Sequence, residues 1–216
     1  MMSQAWRKAG FVGANGMESG IQIAVTPWAL FRDWFAEAEA AEVNDPNAMS
    51  LATVSAAGAP SVRIVLLKDY DMRGFCFFTN RESRKGDDLA ANARGALCWH
   101  WKSLRRQVRA EGSIAMVSDT ESDAYFAMRP RGSQIGAWAS LQSQHLPARA
   151  DFDKRIADCT HQFEGRAVPR PPHWGGYRLT PNRVEFWQDQ PSRLHDRLVY
   201  TCAPGATNWA TERLYP

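Results

Sequence analysis

The side chains best suited to chemistry lie near the C-terminal end, in Pro191-Ser-Arg-Leu-His-Asp-Arg197. On an extended strand, side chains two apart share a face. Arg193, His195 and Arg197 would then project together, with Leu194 and Leu198 on the other face. Two guanidiniums around an imidazole repel one another and make poor core. They suit an anionic, aromatic or redox-active ligand. The plainer alternative is a solvated edge strand.

Four further stretches hold groups of the same kind. Arg63-Ile-Val-Leu-Leu-Lys68 has an apolar centre that reads as a buried strand, with basic ends able to grip an anion. A strict period of two puts Arg63 and Lys68 on opposite faces unless a bulge intervenes. Thr79-Asn-Arg-Glu-Ser-Arg-Lys85 runs from a strand into a helix start. Free backbone N–H groups there, with Thr79, Ser83, Arg84 and Lys85, form a phosphate cradle or an ordinary capped helix with basic surface residues. In Tyr125-Phe-Ala-Met-Arg-Pro-Arg-Gly-Ser133, Tyr125 and Arg129 stand four apart and share a helical face. Phenol, guanidinium, the Ser133 hydroxyl and a new helix start suit a phosphate monoester, or make a surface corner. Glu185-Phe-Trp-Gln188 puts Trp187 a short turn before the basic strand, where it can pack on a flat cofactor or serve only as structure.

The elements that must position these groups are mostly strands. Thr26-Pro27 caps a helix to about residue 42, with Leu30, Phe31, Trp34, Phe35 and Ala38 at helical spacing. Strands are predicted over 48–55, 61–68, 75–79, 95–101, 107–117, 174–180, 183–188 and 195–201, with a last short one near 208–214. Short helices are predicted over 83–91, from a capping box at Ser118-Asp-Thr-Glu121 to Met128, from a Ser133 cap to about 140, and over 151–163. Antiparallel strands interrupted by a few helices predict a mainly β fold, a barrel or curled sheet with peripheral helices. No G-x-G-x-x-G follows a strand, so a Rossmann site is not supported.

The totals are those of an ordinary globular chain. It has 216 residues, 44% apolar and 23% charged, room for one large domain or two small ones. A net charge of +3 is too small to argue for nucleic acid or membrane. The four cysteines lack C-x-x-C spacing and the five histidines lack H-x-x-x-H spacing. Neither a disulfide framework nor a metal site is expected. With no signal segment or long apolar run, a soluble cytoplasmic protein is expected. Residues 1–25 hold Gly10, Gly13, Gly16 and Gly20 without a clean period and read as a flexible arm. A single domain, 26–216, follows.

In order along the chain, these motifs resemble the pyridoxamine 5′-phosphate oxidase family, flavin enzymes of vitamin B6 metabolism. Arg129-Pro-Arg-Gly-Ser-Gln-Ile-Gly-Ala-Trp138, Trp174-Gly-Gly-Tyr177 and the closing Arg213-Leu-Tyr-Pro216 add to the likeness. The resemblance implies an antiparallel FMN-binding split barrel, working as a homodimer with two flavins in the subunit interface. It implies that Arg63, Ile64, Val65, Leu66, Leu67 and Lys68, with Phe78, Thr79, Arg84 and Lys85, hold FMN from one subunit. Gln107, Gln142, Ser143, Trp187 and Arg197 would approach from the other. Lys68, Tyr125, Arg129 and Ser133 would hold a substrate phosphate. Arg193 and His195 would face the pyridine ring, and Asp45 matches a family acid near the site. The implied reaction oxidises pyridoxamine 5′-phosphate or pyridoxine 5′-phosphate to pyridoxal 5′-phosphate, with dioxygen reduced to hydrogen peroxide. The alternatives are a related flavin oxidase acting on a phenazine-type aromatic, and a non-catalytic flavin or pyridoxal phosphate binding module. One departure stands out. The family's arm carries an Arg-Arg-x-Tyr element, whereas residues 1–25 hold only Arg7 as arginine and no tyrosine.

Overall fold

In the computed structural model, which describes residues 20–203 and 205–216, the chain builds a curled antiparallel sheet around one aromatic helix. That helix, α1 (Pro27–Ala41), starts where Thr26 accepts a hydrogen bond from the Ala29 N–H and proline occupies the first turn. Its inward face carries Leu30, Phe31, Trp34 and Ala38. Phe31 is fully buried, with its ring 4.9 Å from Phe75 and 5.0 Å from Trp99. Such a ring contributes on the order of 2–3 kcal/mol through burial.

Nine strands make the sheet: β1 (Ala48–Val54), β2 (Pro60–Leu66), β3 (Asp69–Asp71), β4 (Gly74–Asn80), β5 (Arg94–Trp101), β6 (Arg106–Met116), β7 (Trp174–Gln188), β8 (Asp196–Thr201) and β9 (Ala210–Arg213). The order is β2-β1-β5-β6-β7-β4-β3, with β8 on β7 and β9 on β8. The first half of β7 pairs with β4 and the second half with β8. The sheet therefore splits in two along β7. Its outer ends meet where the Leu67 N–H donates to Asn47 and the next residue, Lys68, donates to Cys76 of β4. The strand pattern predicted a barrel or curled sheet, and the resemblance implied the split barrel found here.

Two expectations change here. The predicted strands 174–180 and 183–188 are one strand, because β6 pairs with β7 from Tyr177 to Gln188 and absorbs the irregularity at Pro181 as a register shift between Glu111 and Gly112. Gly112 is required at that shift, since a Cβ there would sit 2.0 Å from the Thr180 carbonyl oxygen. The Arg63–Lys68 run is not a buried strand. β2 is an edge strand pairing only with β1, and Val62, Ile64 and Leu66 point outward, 68%, 64% and 37% exposed.

Outside the barrel lie α2 (Arg84–Ala91), α3 (Asp119–Met128), α4 (Arg131–Ala139) and α5 (Arg149–Gln162). The predicted capping box forms, Ser118 and Glu121 each taking the other's backbone N–H. Phe126, Ile135, Phe163, Val168 and Trp174 form a second, smaller core that fixes α3, α4 and α5 against β7. Of the predicted arm, residues 1–19 lie outside the described residues. Beyond them, the Ile21 N–H and carbonyl are held by Asp196 and Arg213, and Ala24 exchanges two hydrogen bonds with the Tyr200 hydroxyl.

Candidate functional site

Where β4 runs into α2, a cavity of about 450 Å³ opens beside the second core. Lys68, Phe78, Thr79, Lys85, Tyr125, Arg129, Ser133, Gln142 and Trp174 line it, with Ile64, Val65 and Leu66 of β2. Residues spread over more than a hundred positions meet here because β2, β4 and β7 bring their ends to one corner and α3 and α4 pack over it.

Lys85 is the unusual group. It is 8% exposed, and its ammonium donates to Thr79 Oγ1 (3.0 Å), Ser83 Oγ (2.9 Å) and Gln142 Oε1 (2.9 Å). All three acceptors are neutral. Burial first, then the nearby Arg63 charge, presses its pKa down to about 8. Arg63 is likewise lowered by burial, with Asp88 opposing and Arg84 adding to the fall. The Arg63 guanidinium is held by Thr53 (2.6 Å), Ser61 (2.8 Å) and Asp88 (3.5 Å). Cations gathered at a helix start with one carboxylate among them form a site for an anion. Phosphate affinity of the ligand-free protein should therefore weaken as pH climbs through about 8 and Lys85 loses its charge. The slope approaches about tenfold per pH unit. Titration calorimetry with inorganic phosphate checks this; a flat profile, or the same slope in Lys85→Met, refutes it.

The opposite wall is aromatic. Phe78 stacks on Tyr125 at 4.1 Å and on Trp174 at 5.5 Å. Gly176 permits this packing, because a Cβ there would meet the Phe78 ring at 2.6 Å. Arg129, the C-cap of α3, lays its guanidinium over Trp174 at 4.7 Å. Its Nη1 is buried without a partner, and burial lowers its pKa. Leaving such an N–H unmatched is costly, so a ligand acceptor fits there.

A second set of predicted residues gathers elsewhere, on the neighbouring strands β6, β7 and β8. Trp187 lies opposite Gln107 on one side and Arg197 on the other. Beneath them Glu185, with its side chain 2% exposed, takes guanidiniums from Arg109 (2.5 Å), Arg183 (3.0 Å) and Arg197 (2.8 Å). Burial pushes this carboxyl up, and the three arginine hydrogen bonds more than reverse it, holding it below the usual range. Among the described residues, no hydrogen bond, ion pair or ring contact joins this set to the Lys85 cavity.

The shared strand face for Arg193, His195 and Arg197 does not exist. Pro191–Arg193 is a 3₁₀ turn, and β8 begins only at Asp196. Ser192 (φ 58°) and Arg193 (φ 63°) are both left-handed, which breaks the alternation. Arg193 is exposed, whereas His195 packs on Trp187 at 4.6 Å. Ser133 is not a cap either. Pro130 takes the cap position and Ser133 sits in the first turn, its N–H bonded to the Pro130 carbonyl. Gln142, assigned by resemblance to the far side of the cofactor, reaches Lys85 and Thr79 of its own chain. Its neighbour Ser143 (φ 73°) and the exposed Asp45 (φ 43°) are also left-handed. Among the described residues, the non-glycine residues of positive φ are these four and Arg105; Asp45, Ser143 and Arg193 are predicted site positions. The sequence reading missed several site members, among them Trp174, although its Trp-Gly-Gly context marks close packing, and Asp88, whose pairing with Arg63 has no local signal.

Comparisons with known proteins give the family of the chain. A family model described as pyridoxamine 5′-phosphate oxidase matches residues 35–163. A second, the pyridoxine 5′-phosphate oxidase C-terminal dimerisation region, matches residues 174–216. The pyridoxine/pyridoxamine 5′-phosphate oxidase of Rhodopseudomonas palustris is 55% identical over 94% of this chain and 95% of its own. That of Cupriavidus taiwanensis is 57% identical over 93% of this chain and 94% of its own. Among solved structures, PhzG from Burkholderia lata, in complex with tetrahydrophenazine-1-carboxylic acid, superposes with a TM-score of 0.84 at 32% identity, covering 89% of this chain and 94% of that one. Matched across both halves of its barrel, this chain belongs to the pyridoxamine 5′-phosphate oxidase family.

Proposed function

We propose that the protein oxidises pyridoxamine 5′-phosphate or pyridoxine 5′-phosphate to pyridoxal 5′-phosphate, with FMN as cofactor and dioxygen as the final acceptor. The carrying observation is the cavity that sets two cations without a carboxylate partner, Lys85 and Arg129 with its orphaned Nη1, against an aromatic wall. Bound FMN supplies the acceptor for the hydride lost from the substrate's 4′ carbon. Its phosphate fits the corner made by Arg63, Arg84, Lys85 and the start of α2. Lys68, Tyr125, Arg129 and Ser133 then hold the substrate phosphate. The phosphate grip fixes the ring's orientation, which is most of what the chain contributes.

The site is completed by a second copy. Gln107, Trp187, Arg193, His195 and Arg197 stand apart from the cavity in their own chain, so they serve it from the partner subunit. The apolar edge of Val62, Ile64 and Leu66 is suited to being covered in the same assembly. Four free thiols fit a reducing, cytoplasmic setting. Among the described residues, no helix is long and apolar enough to cross a membrane.

A phenazine-type substrate is the second reading, because the bound molecule in the PhzG structure is tetrahydrophenazine-1-carboxylic acid. The lower identity to that protein, 32% against 55–57% for the B6 oxidases, weighs against it. The purified protein should be yellow, and pyridoxine 5′-phosphate should bleach it without oxygen and release peroxide with it. A preparation that takes up no FMN, or is not bleached, refutes the proposal. Arg129→Ala should raise KM for pyridoxine 5′-phosphate about tenfold to a hundredfold with flavin retained, the worth of one charge-assisted hydrogen bond. An unchanged KM would remove Arg129 from the phosphate site.

A further inference from the structure

The connection from β7 to β8 carries a carboxylate–imidazole pair, Asp189 with His195. His195 Nδ1 lies 3.0 Å from Asp189 Oδ1, the two side chains being 20% and 15% exposed. Asp189 is tied to one residue twice. Its N–H donates to the Arg105 carbonyl at 3.0 Å, and its carboxylate pairs with the Arg105 guanidinium. Arg105 is left-handed (φ 55°) in the β5–β6 turn, a conformation unfavourable for a non-glycine residue. Trp187 packs against the imidazole at 4.6 Å. The ring is therefore fixed by its face and by one nitrogen. Among the described residues Nε2 has no partner, and His195 lines an open groove with Gln190 and Ile21.

Nδ1 has a second neighbour, the Gln190 backbone nitrogen at 3.3 Å. The two contacts demand opposite tautomers. A carboxylate only accepts, so the Asp189 contact needs a proton on Nδ1; the Gln190 N–H only donates, so that contact needs a bare Nδ1. The Asp189 contact is shorter and charge-assisted, and it prevails.

We propose that Asp189 is the positioning residue for His195: it holds the imidazole as the Nδ1–H tautomer and so presents the Nε2 lone pair to the substrate. The inference rests on the functional reading above, in which His195 serves the site from the partner subunit, and on its facing the pyridine ring of the substrate, as the resemblance implies. That substrate carries a hydroxyl on its ring and a hydroxyl or amine on the 4′ carbon. An acceptor nitrogen can take a hydrogen bond from these groups, and an N–H at the same place would oppose a hydroxyl proton aimed at it. Arg105 sets the sense of the switch in a neutral variant. In Asp189→Asn the guanidinium claims the amide oxygen, the amide N–H₂ turns to Nδ1, and the Gln190 N–H adds to it. Nδ1 is then bare and the proton moves to Nε2.

Nitrogen-15 NMR of histidine-labelled holoenzyme reads the tautomer directly, with His195→Gln identifying the resonances. Wild type should show Nδ1 protonated, and Asp189→Asn should show Nε2 protonated. Asp189→Ala, which leaves no carboxylate or amide, should also lose the Nδ1–H form. Both variants should bind FMN as wild type does. Their kcat for pyridoxine 5′-phosphate should fall about tenfold or more with KM changed less than about threefold, since the phosphate grip is untouched. Protonated Nε2 in wild type, an unmoved tautomer in Asp189→Asn, or a moved tautomer with unchanged kcat each overturns the proposal. A wild-type enzyme with the Nδ1–H tautomer but no turnover of pyridoxine 5′-phosphate overturns the substrate assignment instead, and leaves the pairing of Asp189 with His195 intact.

Discussion

Glu185→Ala should destabilise the protein by about 2–3 kcal/mol, a large loss for a polar side chain. Removing one partner of a fully buried ion pair costs about 3–5 kcal/mol, because the other charge is left without compensation. Here the carboxylate is 2% exposed, but its three guanidiniums keep 26–39% exposure and water can take up part of their charge. The lower figure follows. At this chain length it corresponds to a fall in Tm of roughly 5–10 °C. Scanning calorimetry reads it, and an unchanged Tm would mean that the arginine cluster is neutralised by solvent alone. Acid should act the same way. The folded carboxyl sits below its ordinary value of 4.5, so its stabilisation is complete above that pH and is lost as pH falls through the folded value. Glu185→Gln should lack this acid-dependent component. Because Glu185 also holds Arg197, both variants should bind FMN more weakly if Arg197 meets the cofactor as proposed.

Arg193→Ala should lower kcat/KM for pyridoxine 5′-phosphate about a hundredfold, with FMN still bound. One charge-assisted hydrogen bond is worth about 1.5–3 kcal/mol, and a hundredfold is about 2.7 kcal/mol. Among the described residues Arg193 makes no hydrogen bond or ion pair through its guanidinium, so its loss removes no contact that holds the fold. Its backbone indicates the same role. Two successive left-handed residues, Ser192 and Arg193, cost on the order of 1–3 kcal/mol each and are kept only where something outweighs them. Alanine carries the same backbone penalty, so the variant tests the guanidinium alone. Steady-state kinetics with a flavin absorbance measurement decide the matter; wild-type turnover would take Arg193 out of the reaction.

Much of this was legible in the residues themselves. The α1 helix follows from Thr26-Pro27 and the helical spacing of Leu30, Phe31 and Trp34, and the α3 helix from its capping box. Both are local signals, carried by side chains within a turn of the backbone they satisfy. Local sequence also marked Lys68, Lys85 and Arg129 as anion-binding candidates, because free backbone N–H groups at a helix start favour an anion, but it left the solvated surface reading open for each. The same local logic failed at Arg193, His195 and Arg197. Alternation was read there without the two positive φ angles that interrupt it, and nothing in Ser192-Arg193 signals them as a glycine would.

The tertiary structure alone decided which charges meet. Asp88 finds Arg63, Glu185 gathers Arg109, Arg183 and Arg197, and Asp189 reaches Arg105 and His195. None of these pairings follows from spacing, because each depends on strand register or on a loop packed across a sheet, and a carboxylate has no periodicity that names its cation. Composition and pattern determined the barrel, its central helix and the cationic character of the site. Register determined which cations were neutralised within the chain and which, like Lys85 and Arg129, were left facing a cavity for a ligand to complete.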